Sequence, residues 1–179
     1  EKKVSTEANS CPNCGVPNPT NKNLDQKIKK AKDNIYEDVW LYAKPAYDTV
    51  NATYNYISSQ LDDDNAYRIF SITGYFNRGI FEASCEHHKL DKKYFKDAVL
   101  YCFRRIWDDE KYKKLSDEKK NSMAKDSYRT MEEGLRLDDS VGKMCSKIIN
   151  TAKESFKSNG AGCFADASKL WKDPNIQFT

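Results

Sequence analysis

Glycine and proline are scarce in this chain, with seven Gly and five Pro among 179 residues. Sandwiches and barrels join many short strands through turns that favour these two residues, so their scarcity argues against an all-β fold. No stretch approaches the roughly 18 consecutive apolar residues of a transmembrane helix. No alternating strand pattern runs for more than a few residues. The sequence therefore predicts an all-α protein with no transmembrane segment.

Motifs that define a reaction are also lacking. The chain has no glycine-rich phosphate loop, no Gly-x-Ser-x-Gly turn and no His-Glu-x-x-His motif. His87 and His88 are its two histidines, and histidine is the side chain that most readily transfers protons near neutral pH. We expect a protein that is not an enzyme and that uses no cofactor or metal. The alternative is a hydrolase that uses His87 or His88 with a nearby carboxylate.

Charge of one sign does not dominate either. The 30 basic and 27 acidic residues give a net charge of +3, and only six of the basic residues are Arg. Nucleic-acid-binding domains have a stronger positive bias and use more Arg, so a nucleic-acid partner is not expected. A weak contact with an anionic glycan or a membrane surface stays open.

Apolar residues recur at steps of three and four along most of the chain, which is the spacing of one helix face. The first stripe begins at Asn23, and we expect Pro45 to stop or kink that helix. Later helices are expected to begin at residues that cap helices well: Asp62, Asp63 or Asp64, then Asp91, Ser116, and Asp139 or Ser140. The sequence thus predicts a compact bundle of about six to seven helices over residues 23–179, after an extended polar leader over residues 1–22.

The six cysteines are an even number: Cys11, Cys14, Cys85, Cys102, Cys145 and Cys163. The last four lie on different predicted helices, which favours disulfides that staple helices together. The sequon that begins at Asn51 permits N-glycosylation. The chain begins at Glu1, and we expect a secretion signal that preceded Glu1 to have been removed. These features predict a secreted, extracellular, disulfide-stapled domain.

The Cys11–Cys14 pair, separated by two residues, has three interpretations. It matches one knuckle of a zinc ribbon, but the sequence offers no second Cys-x-x-Cys to complete the site. A redox pair usually begins a helix in a βαβ unit, which this chain lacks. A structural disulfide is favoured.

Aromatic residues are abundant, with 11 Tyr, eight Phe and three Trp. In a helical bundle they either fill the core or line an apolar pocket with a few polar groups. The candidate ligand-binding residues are Tyr54, Phe70, Phe76, Phe81, Tyr94, Phe103 and Arg104, the last to orient a polar head group. A carrier would have an internal cavity lined by Tyr and Phe. A protein-binding domain would have a filled core and exposed aromatic residues on one face.

The predicted plan, a helical box with about three disulfides, resembles secreted insect carriers such as the odorant-binding proteins. That resemblance implies secretion and a small amphipathic ligand. The family's cysteine pair on one helix, with three residues between the two cysteines, is absent, so no residue role is carried over. The sequence favours a secreted, non-catalytic binding protein, which either contacts another extracellular protein, such as a host protein, or carries a small amphipathic ligand.

Overall fold

The computed structural model describes residues 19–137 and 139–178, with side chains from residue 24 onward. These residues form helices and connecting turns, without strands. The α-helices are α1 (Pro19–Ser58), α2 (Asp63–His87), α3 (Phe95–Ile106), α4 (Asp117–Arg136), α5 (Ser140–Asn159) and α6 (Phe164–Lys172). The all-α prediction is confirmed. The described residues contain five long helices and a short α6, fewer long helices than expected.

The described residues divide into two units, and the boundary falls between Tyr36 and Glu37, within α1. The first unit contains the beginning of α1, and the second contains the rest of α1 together with α2–α6. The helix begins at Pro19, four residues before the predicted start, because proline suits the first turn, where its missing N–H has no partner to lose. Residues 1–18 of the predicted leader, with Cys11 and Cys14, lie outside the described residues.

Pro45 does not end a helix, although the sequence predicts a stop or kink there. It lies inside α1, which continues to Ser58 and merges two of the predicted helices into one. Proline leaves the carbonyl four residues earlier, on Leu41, without its helical donor. Leu41 and Pro45 are both exposed and lie on the same side of the helix. Water can therefore satisfy that carbonyl, which lowers the cost of the proline.

The predicted capping residues are confirmed. Asp62, Ser116 and Asp139 precede α2, α4 and α5, and each side chain accepts a hydrogen bond from a backbone N–H in the first turn. Asp91 caps a short 3₁₀ turn that leads into α3. Gly160 ends α5 with φ of 54°, a backbone conformation that glycine adopts without strain.

The second unit is built around α2, which packs against α3, α5 and α6. Residues 75–81 are buried without interruption, so α2 is covered on every side over two turns. Gly79 allows α5 to approach closely, since a Cβ there would lie 2.5 Å from the carbonyl oxygen of Ile149 and 2.6 Å from the Cβ of Ala152. Ser84 also donates a hydrogen bond of 2.6 Å to the backbone oxygen of Val39 on α1.

The predicted disulfides do not form among the described cysteines. Cys85, Cys102, Cys145 and Cys163 are free thiols, each fully buried. Burial raises the pKa of Cys85 to about 12 and that of Cys163 to about 11, because a thiolate is poorly solvated in the core. Placement on different helices was not enough to predict bridging. Each thiol instead packs as a small apolar side chain.

Candidate functional site

Three of the predicted ligand-binding residues belong to the core. Phe76 and Phe81 are fully buried, and Phe103 is nearly so. The rings of Phe81 and Phe103 meet edge to face with centroids 5.3 Å apart, and Trp40 lies 6.1 Å from Phe81. Aromatic pairs at these distances are in direct contact. These rings pack against one another and stabilise the bundle.

Two further candidates lie on the two ends of α3. Tyr94 is the last residue of the 3₁₀ turn that precedes α3, and the Lys93 ammonium lies 5.0 Å from its ring centroid. Arg104, near the end of α3, forms ion pairs with Asp108 at 2.6 Å and Asp117 at 2.7 Å. The guanidinium thereby links α3 to α4.

The last two candidates, Tyr54 and Phe70, meet at the surface, where α1 ends and α2 begins. Their ring centroids are 6.3 Å apart. Phe70 is 59% exposed, and Tyr67, one turn earlier on α2, is 61% exposed. Residues three and four apart lie on the same side of a helix, so Asp63, Tyr67 and Phe70 form one stripe. We call Tyr54, Tyr67 and Phe70 the aromatic face.

The aromatic face is open because α4 covers only the later part of the same side of α2. Gly74 is the next residue of that stripe, and a Cβ there would lie 3.3 Å from the terminal methyl of Met131 on α4. The stripe is therefore covered from Gly74 onward, whereas Tyr67 and Phe70 remain exposed. Along α2, aromatic side chains are thus exposed at Tyr67 and Phe70 and buried at Tyr75 and Phe76.

The surroundings of the aromatic face are acidic. Residues 45–67 contain four Asp and no Lys or Arg, in a chain with 30 basic residues, and of the four only Asp48 is paired with a lysine, Lys44. Asp62, Asp63 and Asp64 are exposed at the start of α2. A hydrogen bond from the backbone N–H of Asn65 lowers the pKa of Asp62, so this carboxylate is ionised at neutral pH.

The basic residue of α2 nearest to the aromatic face is Arg68, and its guanidinium is directed toward the end of α6. The two terminal nitrogens of Arg68 donate hydrogen bonds to the backbone oxygens of Trp171, at 2.8 Å, and Asp173, at 3.1 Å. These oxygens lie at the end of α6, where helix carbonyls lack partners within the helix. Arg68 therefore ties α2 to α6.

The two histidines lie at the other end of α2. The His87 ring stacks on Tyr42 of α1, with centroids 3.9 Å apart and planes 7° apart, and His88 meets the same tyrosine edge-on at 5.7 Å. A cleft of about 320 Å³ beside them is lined by Tyr42, Ala83, Glu86, His87, Phe156 and Lys157. This cleft is the place where the hydrolase alternative would have to operate.

Glu86, the carboxylate in that cleft, is held by two lysines of α5. Its oxygens lie 2.6 Å from Nζ of Lys153 and 2.8 Å from Nζ of Lys157. Burial disfavours the charged form, but the lysine hydrogen bonds and charges outweigh it and lower the pKa of Glu86. Among the described residues, neither histidine forms a hydrogen bond or ion pair with a carboxylate. The arrangement fits a structural link between α2 and α5 better than general acid–base chemistry.

Other clefts and clusters of side chains are present in the described parts of the chain. No three His, Cys, Asp or Glu side chains there are grouped as metal ligands. The largest cleft described, of about 980 Å³ between α3 and α4, is lined mainly by Lys, Arg, Asp and Glu. None of the described helices combines the length and apolar content that crossing a bilayer requires.

Comparisons with protein-family models, with curated proteins and with solved structures find no match for this chain. The evidence for the candidate site therefore comes from the position and exposure of its own residues. Tyr67, its most exposed aromatic residue, was not among the predicted ligand-binding residues. Apolar spacing does not tell which turn of a helix a neighbouring helix covers. The one sequence signal near Tyr67 is the absence of Lys and Arg over residues 45–67.

Proposed function

We propose that this chain is a non-catalytic binding protein that engages another protein through the aromatic face. The proposal is carried by the exposure of Tyr67 and Phe70, at 61% and 59%, side by side on a helix that is otherwise mostly buried. Fully burying one such side chain contributes about 1.5–3 kcal/mol. Aromatic residues of this kind dominate the energetics of many protein interfaces.

A protein partner fits this surface better than a small carried molecule does. Carriers enclose most of the ligand surface in a cavity. The aromatic face is an open surface, whereas Phe76, Phe81 and Phe103 are packed in the core. A flat partner surface or a helix could cover Tyr67 and Phe70 together, since they lie one turn apart. For the hydrolase alternative, no specific contact of His87 or His88 provides support.

An extracellular location is part of the proposal and is supported by the sequon at Asn51. In the structure the Nδ2 of Asn51 donates a hydrogen bond of 2.8 Å to the backbone oxygen of Tyr47. The disulfide argument for secretion no longer holds, because the four described cysteines are free thiols. Expression in a secretory host, followed by enzymatic removal of N-glycans and measurement of the mass, tests the assignment of Asn51.

The binding proposal is tested with a matched set of surface variants. Tyr67→Ser with Phe70→Ser removes the aromatic face, and Tyr56→Ser serves as the control. Tyr56 is 71% exposed on the opposite side of α1 from Tyr54. Wild type and variants are screened against an array of extracellular proteins, and the binding constant of each hit is measured. We expect the double variant to lose at least about tenfold in affinity for the specific partner, with Tyr56→Ser unchanged.

Equal binding by the double variant would overturn the proposal, provided that its thermal unfolding matches wild type. Native and denatured intact masses supply the second readout. Equal masses agree with a protein binder. A native form heavier by a few hundred daltons, with the excess lost on denaturation, would instead establish a carried ligand and contradict the proposal.

A further inference from the structure

We infer that the partner presents a cationic segment, with Lys or Arg beside apolar side chains, to the aromatic face and its acidic rim. This inference rests on the proposed function and names the chemistry of its partner. The acidic rim is defined here as Asp62, Asp63 and Asp64, which precede the aromatic residues of α2.

The start of α2 carries a local excess of negative charge. Asp62, Asp63 and Asp64 follow one another there, whereas the chain as a whole has a net charge of +3. Asp48, the other aspartate of residues 45–67, is paired with Lys44 and adds nothing to this excess. The acidic rim is exposed, and the one nearby guanidinium, on Arg68, is bound to the carbonyls of Trp171 and Asp173. Arg68 keeps its positive charge, because its acceptors are neutral carbonyls, and the positive end of the α2 dipole adds about half a charge. Together they offset only part of the charge of three carboxylates, and a net negative charge remains. The field over this surface therefore attracts cations.

Carboxylates and aromatic rings lie next to each other on one exposed side of α2. Asp63 lies one turn before Tyr67, and Tyr67 lies one turn before Phe70, on the same exposed side of α2. A guanidinium can stack on a Tyr or Phe ring while it donates hydrogen bonds to a carboxylate. The apolar part of the partner would then cover Phe70 and Tyr54, whose centroids are 6.3 Å apart. Carboxylate and ring in one stripe thus match a Lys or Arg side chain next to apolar residues.

The same charge disfavours other occupants. An anionic membrane or a sulfated glycan would be repelled by the acidic rim. A second copy of the chain could supply lysines, and self-association is therefore measured directly as an opposing outcome.

The test uses a defined probe: a short labelled peptide of alternating arginine and leucine, with a glutamate–leucine peptide as the matched control. Binding is followed by fluorescence anisotropy at low and at near-physiological salt. Asp63→Asn with Asp64→Asn removes two charges and leaves the Asp62 cap intact. Glu118→Gln with Glu133→Gln removes two exposed charges on α4 and controls for net charge. Tyr67→Ser with Phe70→Ser removes the rings.

We expect the arginine peptide to bind wild type and the glutamate peptide not to bind. The Asp63/Asp64 variant should weaken arginine-peptide binding by about tenfold and reduce its salt dependence, while the α4 control stays within about twofold. Equal weakening by both acidic variants, or full binding by the Tyr67/Phe70 variant, would overturn the inference, because the attraction would then be only general charge. A wild-type dimer in sedimentation that the Tyr67/Phe70 variant abolishes would also overturn it.

Failure of the inference and failure of the proposed function are distinguishable. Suppose that an array-derived protein partner loses affinity for the Tyr67/Phe70 variant but binds the Asp63/Asp64 variant as tightly as wild type. The aromatic face is then a protein-binding surface, and the cationic assignment is wrong. If neither variant changes the affinity of that partner, the proposed function itself fails.

Discussion

The two halves of α2 differ in how far their aromatic side chains are buried. From Tyr75 to Phe81 every residue is buried, with Phe76 and Phe81 fully inside the core. In the first two turns Tyr67 and Phe70 are more than half exposed. Both halves carry large aromatic residues, yet the later half is covered on every side, whereas the side of the first half that carries Tyr67 and Phe70 is not covered. Side-chain type alone does not distinguish a core position from an exposed one; the extent to which neighbouring helices cover the position does.

The largest contrast is expected in thiol reactivity. Cys85 lies in the buried half, and burial raises its pKa to about 12. The thiol introduced by Tyr67→Cys in the exposed half should react with a thiol reagent at least about a thousandfold faster than Cys85 does in the native protein. Stopped-flow labelling, with masses to identify the sites, measures both rates. Comparable rates would contradict the burial contrast. Failure of the four described cysteines to react in denaturant would contradict their free-thiol state.

The next contrast compares two phenylalanines of α2. Phe81→Ala should lower the free energy of unfolding by about 3–5 kcal/mol, because it leaves a cavity among Phe103, Trp40 and Tyr47. Phe70→Ala should lower it by less than about 1 kcal/mol, since the ring is 59% exposed. Urea unfolding of both variants gives the values. Similar losses would mean that Phe70 is a core residue and would remove the basis for a binding surface there.

The two glycines of α2 give a smaller contrast. Gly79→Ala should destabilise the protein by about 1–3 kcal/mol, because the new Cβ would collide with backbone and side-chain atoms of α5. Gly74→Ala should be neutral or stabilise by up to about 1 kcal/mol, since only the flexible end of Met131 is near and alanine favours a helix. Thermal unfolding of the pair checks this order. A larger loss at Gly74 would contradict the packing described for α2.

The smallest effect is expected in the pH dependence of stability that Glu86 contributes at the C-terminal end of α2. The pKa of Glu86 is lowered in the folded state, so its contribution to stability is complete above the unfolded pKa and is lost as pH falls through the folded pKa. Between about pH 6 and pH 3 wild type should therefore lose up to about 1 kcal/mol more stability than Glu86→Gln. Urea unfolding across this range measures the difference. Glu133→Gln, at a residue 69% exposed on α4, is the control, and an equal effect there would refute the assignment.

The sequence predicted the starts of three helices correctly because capping is local. Asp62, Ser116 and Asp139 cap the helices that the sequence places after them. Local rules did not predict that α1 continues through Pro45. The penalty of a helical proline depends on whether the freed carbonyl of Leu41 reaches water. The cysteines and the aromatic face depend on which helices meet, and periodicity holds no information on that.

Of the predicted ligand-binding residues, Tyr54 and Phe70 lie on the candidate surface, whereas Phe76, Phe81 and Phe103 lie in the core. The same three- and four-residue spacing produced both groups. On α2 the side of the helix that carries Phe70 is covered by α4 only from Gly74 onward.

The central claim is most directly tested by photo-crosslinking from single positions. A photoreactive phenylalanine analogue replaces Tyr67 in one sample and Tyr56 in another, and each is irradiated with the array-derived partner. If the aromatic face binds the partner, we expect a covalent adduct from position 67, with the attached partner peptide rich in Lys or Arg, and none from position 56. Adducts of equal yield from both positions, or from position 56 alone, would contradict the claim that the aromatic face binds the partner.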